Sequence, residues 1–496
     1  MTLDAAPSDL TPFLDALRGP DLIARLRAGL IGEGAAIPGP FGPKPLIYAD
    51  YVASGRALRQ IETFVMEHVL PFYANSHTEA SHCGARMTRM RRDARAVIAR
   101  LCGADDRFAT IFAGAGATAG LNRLVHLLGV PEAVASGRGA TVLIGPYEHH
   151  SNILPWRESG AQVIEIPEAP AGGPDMDALD AALARARGLV IGAFSAMSNV
   201  TGIVTDVDAV TRALKRRGAL AVWDYAGGAP YLPIDMEAGG PAQKDAVVFS
   251  AHKFIGGPGA SGVLIVRRGA VARTRPVQAG GGTVRFVSPW GHDYSTDLAT
   301  REEPGTPNVI GDIRAALCLM VKDAIGQKFL NLRHEKLRAR AVAAWSANPA
   351  IEIMGEARAA HRLPVFSLRV RDGRGGFIHQ QLFTRMLSDA HGIQARGGCA
   401  CAGPYAHRLL GIDAAQSAAL RAAILSGDEM DKPGWTRLNL SALLDDAKAD
   451  AIIGAVDALA RAPYPLADAY RADPATARFS PIVAPALALG LLRGAA

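Results

Sequence analysis

Ala246-Val247-Val248-Phe249-Ser250-Ala251-His252-Lys253-Phe254-Ile255-Gly256-Gly257-Pro258-Gly259 runs from an apolar strand into a turn of small residues, with a lysine at the junction. Such a turn solvates an amine poorly, and desolvation favours the neutral, nucleophilic form of lysine. A neutral amine can form a Schiff base with a carbonyl compound. A lone lysine in a Gly/Pro loop is more often a surface side chain, so the weight falls on its surroundings.

Outward from this stretch, short apolar runs alternate with helical ones. Strands are predicted at Thr110-Ile111-Phe112, Thr141 to Ile144, Gln162 to Ile166, Leu189 to Ala193, Leu220 to Trp223, Ala246 to Phe249 and Val263 to Val266. Helical patterns at Asp175 to Arg187 and Asp206 to Arg217 lie between them. Continuous apolar strands separated by helices predict an α/β fold, with a mainly parallel seven-stranded sheet sandwiched by helices. In such sheets ligands sit beyond the carboxyl ends of the strands. Glu148-His149-His150, Asp224 and Lys253 all fall there.

The chain has 496 residues, too many for one small core. The expected division is a helical lead-in with a Pro/Gly connector over 1–45, a large domain over 46–310, a smaller α+β domain over 311–465 and an Ala/Pro-rich tail over 466–496. A long helix is predicted from Asp312 to Asn331 and on to Ala347, a strand at Val365 to Val370 and a last helix at Asp445 to Arg461. Net charge is +6, with scattered basic residues. The densest group, Arg86, Arg89, Arg91, Arg92 and Arg95, reads as a solvated helix face, and nucleic acid is not an expected partner. No secretory signal opens the chain and the apolar tail is too short to span a bilayer. Five cysteines is an odd count that argues against a disulfide framework, so a reducing cytoplasm is expected.

Several residues fit one chemistry. A carboxylate such as Asp224 keeps the pyridine nitrogen of pyridoxal phosphate protonated, which that cofactor needs to act as an electron sink. Gly114 to Gly120, with Ala117 and Thr118, opens a helix after a strand and suits a phosphate group. His149 can stack on a ring and move protons near neutral pH. Each also has an ordinary reading, as a loop cap, a plain helix start or a polar histidine. Cys399 and Cys401 form a C-x-C close to Arg396, which favours a thiolate. No second cysteine pair completes a metal site, and none is expected. Arg437 enters an apolar strand-like run and needs an anion, which a substrate carboxylate would supply.

Taken together, residues 45 to 460 resemble the class V aminotransferase family of fold-type I pyridoxal-phosphate enzymes, in its cysteine desulfurase-like branch. The resemblance is carried by Ser250-x-His252-Lys253 and the glycines after it, Glu148-His149-His150-Ser151-Asn152-Ile153 with Pro155-Trp156, Glu303-x-Gly305-Thr306-Pro307-Asn308, and Arg396-x-Gly398-x-x-Cys401. It implies that Lys253 holds the cofactor, His149 stacks on its ring and Asp224 pairs with its nitrogen. Asn199 would lie near the ring hydroxyl or substrate. Thr118, Ser250 and His252 would bind the phosphate, with Thr306 reaching it from a neighbouring subunit of a homodimer. Arg437, with Arg396, would grip the carboxylate of a small amino-acid substrate. Cys401 takes the place of the sulfur-accepting cysteine, so removal of sulfur from cysteine, with a possible sulfur-acceptor protein, is the implied activity. One position departs: Gly227 stands where the family usually has a glutamine that contacts the ring hydroxyl. That departure keeps open another class V reaction (an aminotransferase, epimerase or C–S lyase). A non-catalytic binding protein is disfavoured by the presence of Lys253, Asp224 and His149.

Overall fold

The computed structural model describes residues 8–76, 78–355 and 359–482. The last part of the expected tail, 483–496, lies outside the described residues, as do the first seven of the lead-in. The chain divides into two compact units. One takes Met1–Ile31, Ala53–Met197 and Thr205–Phe329; the other takes Gly32–Val52, Ser198–Val204 and Leu330–Ala496.

The first unit is built on a seven-stranded sheet. Its strands are β1 (Phe108–Gly114), β2 (Ala140–Ile144), β3 (Gln162–Glu165), β4 (Leu189–Ser195), β5 (Leu220–Asp224), β6 (Ala246–Ser250) and β7 (Gly262–Arg267). Every strand predicted from the apolar runs is present. The spatial order is β1-β7-β6-β5-β4-β2-β3. Neighbours pair in parallel except β7, which runs antiparallel to both β1 and β6. Val247, Val248 and Phe249 of β6 are fully buried, each stabilising by roughly 1.5–3 kcal/mol. Burial on both faces is why this strand reads as an unbroken apolar run rather than an alternating one.

Of the arginines expected on a solvated face of the helix His82–Leu101, Arg89 and Arg92 are exposed, whereas Arg91 and Arg95 turn inward. Arg91 Nε donates to Asp312 at 2.7 Å, and Arg95 donates to both oxygens of Glu303 at 2.7 and 2.9 Å. Both guanidinium groups lie over the Phe112 ring, 5.4 and 4.8 Å from its centre. Acidic partners about 210 residues away, at Glu303 and Asp312, turned a surface pattern into an interior one.

The second unit holds a four-stranded antiparallel sheet of Ile351–Ile353, Val365–Val370, Trp435–Asn439 and Arg396–Gly398, in that spatial order. The long predicted helix is two helices, Val309–Ile325 and Gln327–Ser346. Gly326, at φ 82° and ψ 135°, separates them, because a right-handed helix cannot continue through a positive φ. In the described part of the tail, Tyr470–Asp473 and Arg478–Pro481 pair as a hairpin, and the Tyr470 hydroxyl donates to Asp389 at 3.0 Å. Among the described residues no helix is long and apolar enough to cross a membrane.

Candidate active site

The first unit brings together the ends of β1, β2, β4, β5 and β6. Lys253 closes a 3-10 turn, Ala251–Lys253, directly after β6, and is half-buried. The turn is braced by residues 53–61. Gly55 N donates to His252 O at 2.9 Å and Gly256 N donates to Arg56 O at 2.7 Å. A Cβ on Gly55 would lie 1.7 Å from Phe254 O, and one on Gly257 would lie 2.3 Å from Ala251 O. Only glycine permits two backbones to approach this closely.

Asp224 is buried at the end of β5 and accepts from Ala226 N at 2.7 Å. Burial raises its pKa, while the Ala226 amide and the positive charge of Lys253 oppose that rise. A protonated ring nitrogen is a cation suited to such a carboxylate. Across the ladder Asp224 faces Ser195. Ser195 donates twice to Glu148, from its backbone N at 2.8 Å and its Oγ at 2.6 Å. Asn152 Nδ2 donates to Glu148 at 2.5 Å, and Trp156 Nε1 donates to Asn152 Oδ1 at 3.0 Å. Burial pushes the Glu148 pKa up to about 7 against these hydrogen bonds, and nearby Asp224 adds to the rise. This buried network fixes the turn that carries His149. The ring Nδ1 of His149 accepts from Ser151 N at 3.1 Å, which leaves the proton of a neutral ring on Nε2.

Opposite the lysine turn, the helix Gly116–Leu127 starts two residues after β1. Ser250 Oγ accepts from Ala117 N at 2.9 Å, and Thr118 Oγ1 meets Ser151 Oγ at 2.7 Å. Gly114 and Gly116 take φ 74° and 67°, and a Cβ on Gly116 would lie 2.8 Å from Ser250 Oγ. His252 is kept towards its neutral form by burial and then by the adjacent Lys253. Lysine, carboxylate, imidazole, hydroxyls and a helix start therefore fit pyridoxal phosphate. Thr306 sits apart, exposed on the loop before Val309–Ile325.

The second unit assembles the remaining candidates. Arg437, on the strand Trp435–Asn439, is buried and pairs through Nη2 with Asp50 Oδ1 at 3.0 Å. Arg396 Nε reaches the other Asp50 oxygen at 2.9 Å. Both arginines expected at a substrate carboxylate thus share one internal carboxylate. Arg437 Nη1 also donates to Asn199 O at 3.2 Å, and Asn199 Nδ2 donates to Ala400 O at 2.8 Å. Asn199 therefore holds the thiol loop in this structure. Cys401 is exposed and Cys399 half-exposed. Arg396 keeps its charge against burial through its hydrogen bond to Asp50 and the negative charge there.

Sequence reading missed Asp50, Gly55 and Ser195, and gave Glu148 no role. Glu148, Asn152 and Trp156 stood inside a quoted motif. Gly55 carried no local signal, because its constraint is a contact made about 200 residues later in the chain.

Residues 47–427 match the Aminotransferase class-V family. A probable cysteine desulfurase of Vibrio cholerae is 30% identical over 364 residues, covering 73% of this chain and 85% of its own. One from Streptomyces coelicolor is 28% identical over 368 residues, with the same coverage. Among solved structures, a cysteine desulfurase of Thermococcus onnurineus superposes with TM-score 0.69 at 22% identity, over 84% of this chain and 95% of that one. A cysteine desulfurase of Escherichia coli gives TM-score 0.66 at 22% identity, over 88% and 97%.

Proposed function

Because the chain belongs to the class V aminotransferase family of pyridoxal-phosphate-dependent enzymes, we propose that it is a cysteine desulfurase, converting L-cysteine to alanine and leaving a persulfide on Cys401. Pyridoxal phosphate, when bound, supplies the electron sink that makes bonds near the substrate's α-carbon labile. Lys253 would hold it and, as a free amine, would move the α-proton. Asp224 would support the ring nitrogen, His149 would lie against the ring, and Ala117, Thr118, Ser250 and His252 would take the phosphate. Arg437 and Arg396 orient the substrate carboxylate, for which Asp50 must yield or share a guanidinium face. The Cys401 thiolate attacks the substrate sulfur: the new S–S bond forms as the substrate's C–S bond breaks, and its electron pair ends as a C–H bond of alanine.

The observation that carries this reading is the exposed Cys401 thiol, on the loop that follows Arg396 and that Asn199 holds at the Ala400 carbonyl. Burial pushes the thiols of Cys102 and Cys318 up to about 12, which makes them poor nucleophiles. Cys401→Ala should keep its bound cofactor and lose sulfur release from cysteine. Release at the wild-type rate would refute the assignment. Gly227 favours a second reading, a different class V reaction on another amino acid. A panel of amino acids with identification of keto acid, alanine or racemised product separates the two, and alanine without sulfur release counts against desulfuration.

We further infer a homodimer in which Thr306 serves the neighbouring subunit's phosphate site, a reducing cytoplasmic setting for the five thiols, and a sulfur-acceptor protein as partner. A monomer with full activity in light scattering would reject the shared site.

A further inference from the structure

The loop that presents Cys401 has a second thiol placed to react with it. Ala402 N donates to Cys399 O at 3.2 Å, closing a four-residue turn. Its two central residues, Ala400 and Cys401, have φ of 56° and 55°. Positive φ at both central positions is the signature of a type I′ turn, normally made by glycine, asparagine or aspartate. For other residues the left-handed conformation brings Cβ too close to the following carbonyl oxygen and is strained. Such strain persists where the surroundings over-determine it. Here the Asn199 side chain fixes the Ala400 carbonyl, and the Cys401 side chain is held outward and exposed.

The turn also sets the distance between the thiol-bearing carbons. A left-handed residue bends the chain as an α-helical one does, in mirror image. Helical geometry places Cα atoms two residues apart at about 5.4 Å, against about 6.6 Å in a strand. Disulfides favour Cα separations of about 5.5–6 Å. A backbone bent in this way at Ala400 brings the Cα atoms of Cys399 and Cys401 to about the separation that disulfides favour.

We propose that Cys399 is the resolving thiol of this enzyme. Its thiolate attacks Cys401 Sγ in the persulfide, the bond from Cys401 Sγ to the terminal sulfur breaks, and hydrosulfide leaves with that electron pair. Cys399 is oxidised, the terminal sulfur is reduced, and a Cys399–Cys401 disulfide remains. A small-molecule thiol or dithiol then reduces the disulfide by exchange. A disulfide exposed at this loop is open to attack by such a thiol. The step lets the enzyme discharge sulfide without a protein acceptor, and it rests on the assignment of Cys401 as the sulfur-accepting thiol.

The test uses full-length holoenzyme and its Cys399→Ser variant, and avoids turnover in its decisive arm. Both are loaded with inorganic polysulfide, desalted, and followed for sulfide release without added thiol, then digested with trypsin. Wild type should release sulfide at least about tenfold faster than Cys399→Ser. Its peptide 397–408, which contains both cysteines, should end two hydrogens lighter. The variant peptide should stay one sulfur atom heavier. Equal release rates, or a wild-type peptide that keeps the extra sulfur, overturn the role. A parallel arm with L-cysteine reads the underlying assignment. Alanine with a lasting Cys401 persulfide in wild type leaves desulfuration standing and removes the resolving step. No alanine from either protein sinks the assignment of Cys401, and the resolving role with it.

Discussion

Replacing Gly55 by alanine should loosen the lysine turn. The added Cβ would lie 1.7 Å from Phe254 O and 2.6 Å from Phe254 C. An unstrained carbon–oxygen contact is over 3 Å, so the two backbones must part by about 1.5 Å. At that separation the Gly55 N to His252 O and Gly256 N to Arg56 O hydrogen bonds, now 2.9 and 2.7 Å, are lost. Each contributes about 1 kcal/mol net, and overpacking adds about 1–3 kcal/mol. The sum, roughly 3–5 kcal/mol, corresponds to about 6–10 °C in melting temperature for a unit of this size. The assay is thermal melting of the apoprotein together with pyridoxal phosphate retained through gel filtration, read from its visible absorbance. Gly454→Ala is the control: a Cβ there meets open space on the helix Asp446–Arg461, and it should stabilise by about 0.5–1 kcal/mol. A Gly55→Ala protein that melts within a degree of wild type and keeps its cofactor would refute the claim that residues 53–61 set the lysine's position.

The buried carboxylate of Glu148 should make stability depend on pH. Its folded pKa is raised from the ordinary 4.5 to about 7, so its stabilising effect is full below the lower value and is lost as pH rises through the higher one. Between about pH 5 and pH 8 the loss is roughly 2–3 kcal/mol. The gap between wild type and Glu148→Gln should therefore shrink or invert over that range, whereas parallel melting curves would show that Glu148 does not titrate there. Asn199→Ala frees the Ala400 carbonyl and should slow sulfur transfer to Cys401 about tenfold, the equivalent of one lost hydrogen bond at the thiol turn, while leaving the cofactor spectrum unchanged. A shifted spectrum with unchanged transfer would place Asn199 at the ring hydroxyl instead.

Local signals in the sequence carried most of the first unit. Most of the seven strands are largely apolar runs because the sheet is covered on both faces, the edge strand Gln162–Glu165 being the exception, and the candidate residues lie beyond strand ends because that is where such sheets leave room. What stayed hidden depends on contacts between distant residues. Arg91 and Arg95 read as solvated until Glu303 and Asp312 are brought beside them. Asp50, which Arg396 and Arg437 share, sits about 350 and 390 residues before its partners and no periodicity links them. The left-handed turn at Ala400 and Cys401 was invisible for another reason: neither residue type prefers that conformation, so only the Asn199 contact and the turn hydrogen bond explain it.

The central claim is that Lys253 and Cys401 serve one reaction, and a single incubation tests it. Holoenzyme given one equivalent of L-cysteine, then quenched in acid with thiols alkylated, should yield alanine in proportion to sulfur found on Cys401 or released as sulfide. Lys253→Ala should give neither product. Alanine formed by wild type with no sulfur on Cys401 and no sulfide released, or sulfur reaching Cys401 at an undiminished rate in Lys253→Ala, would contradict the account.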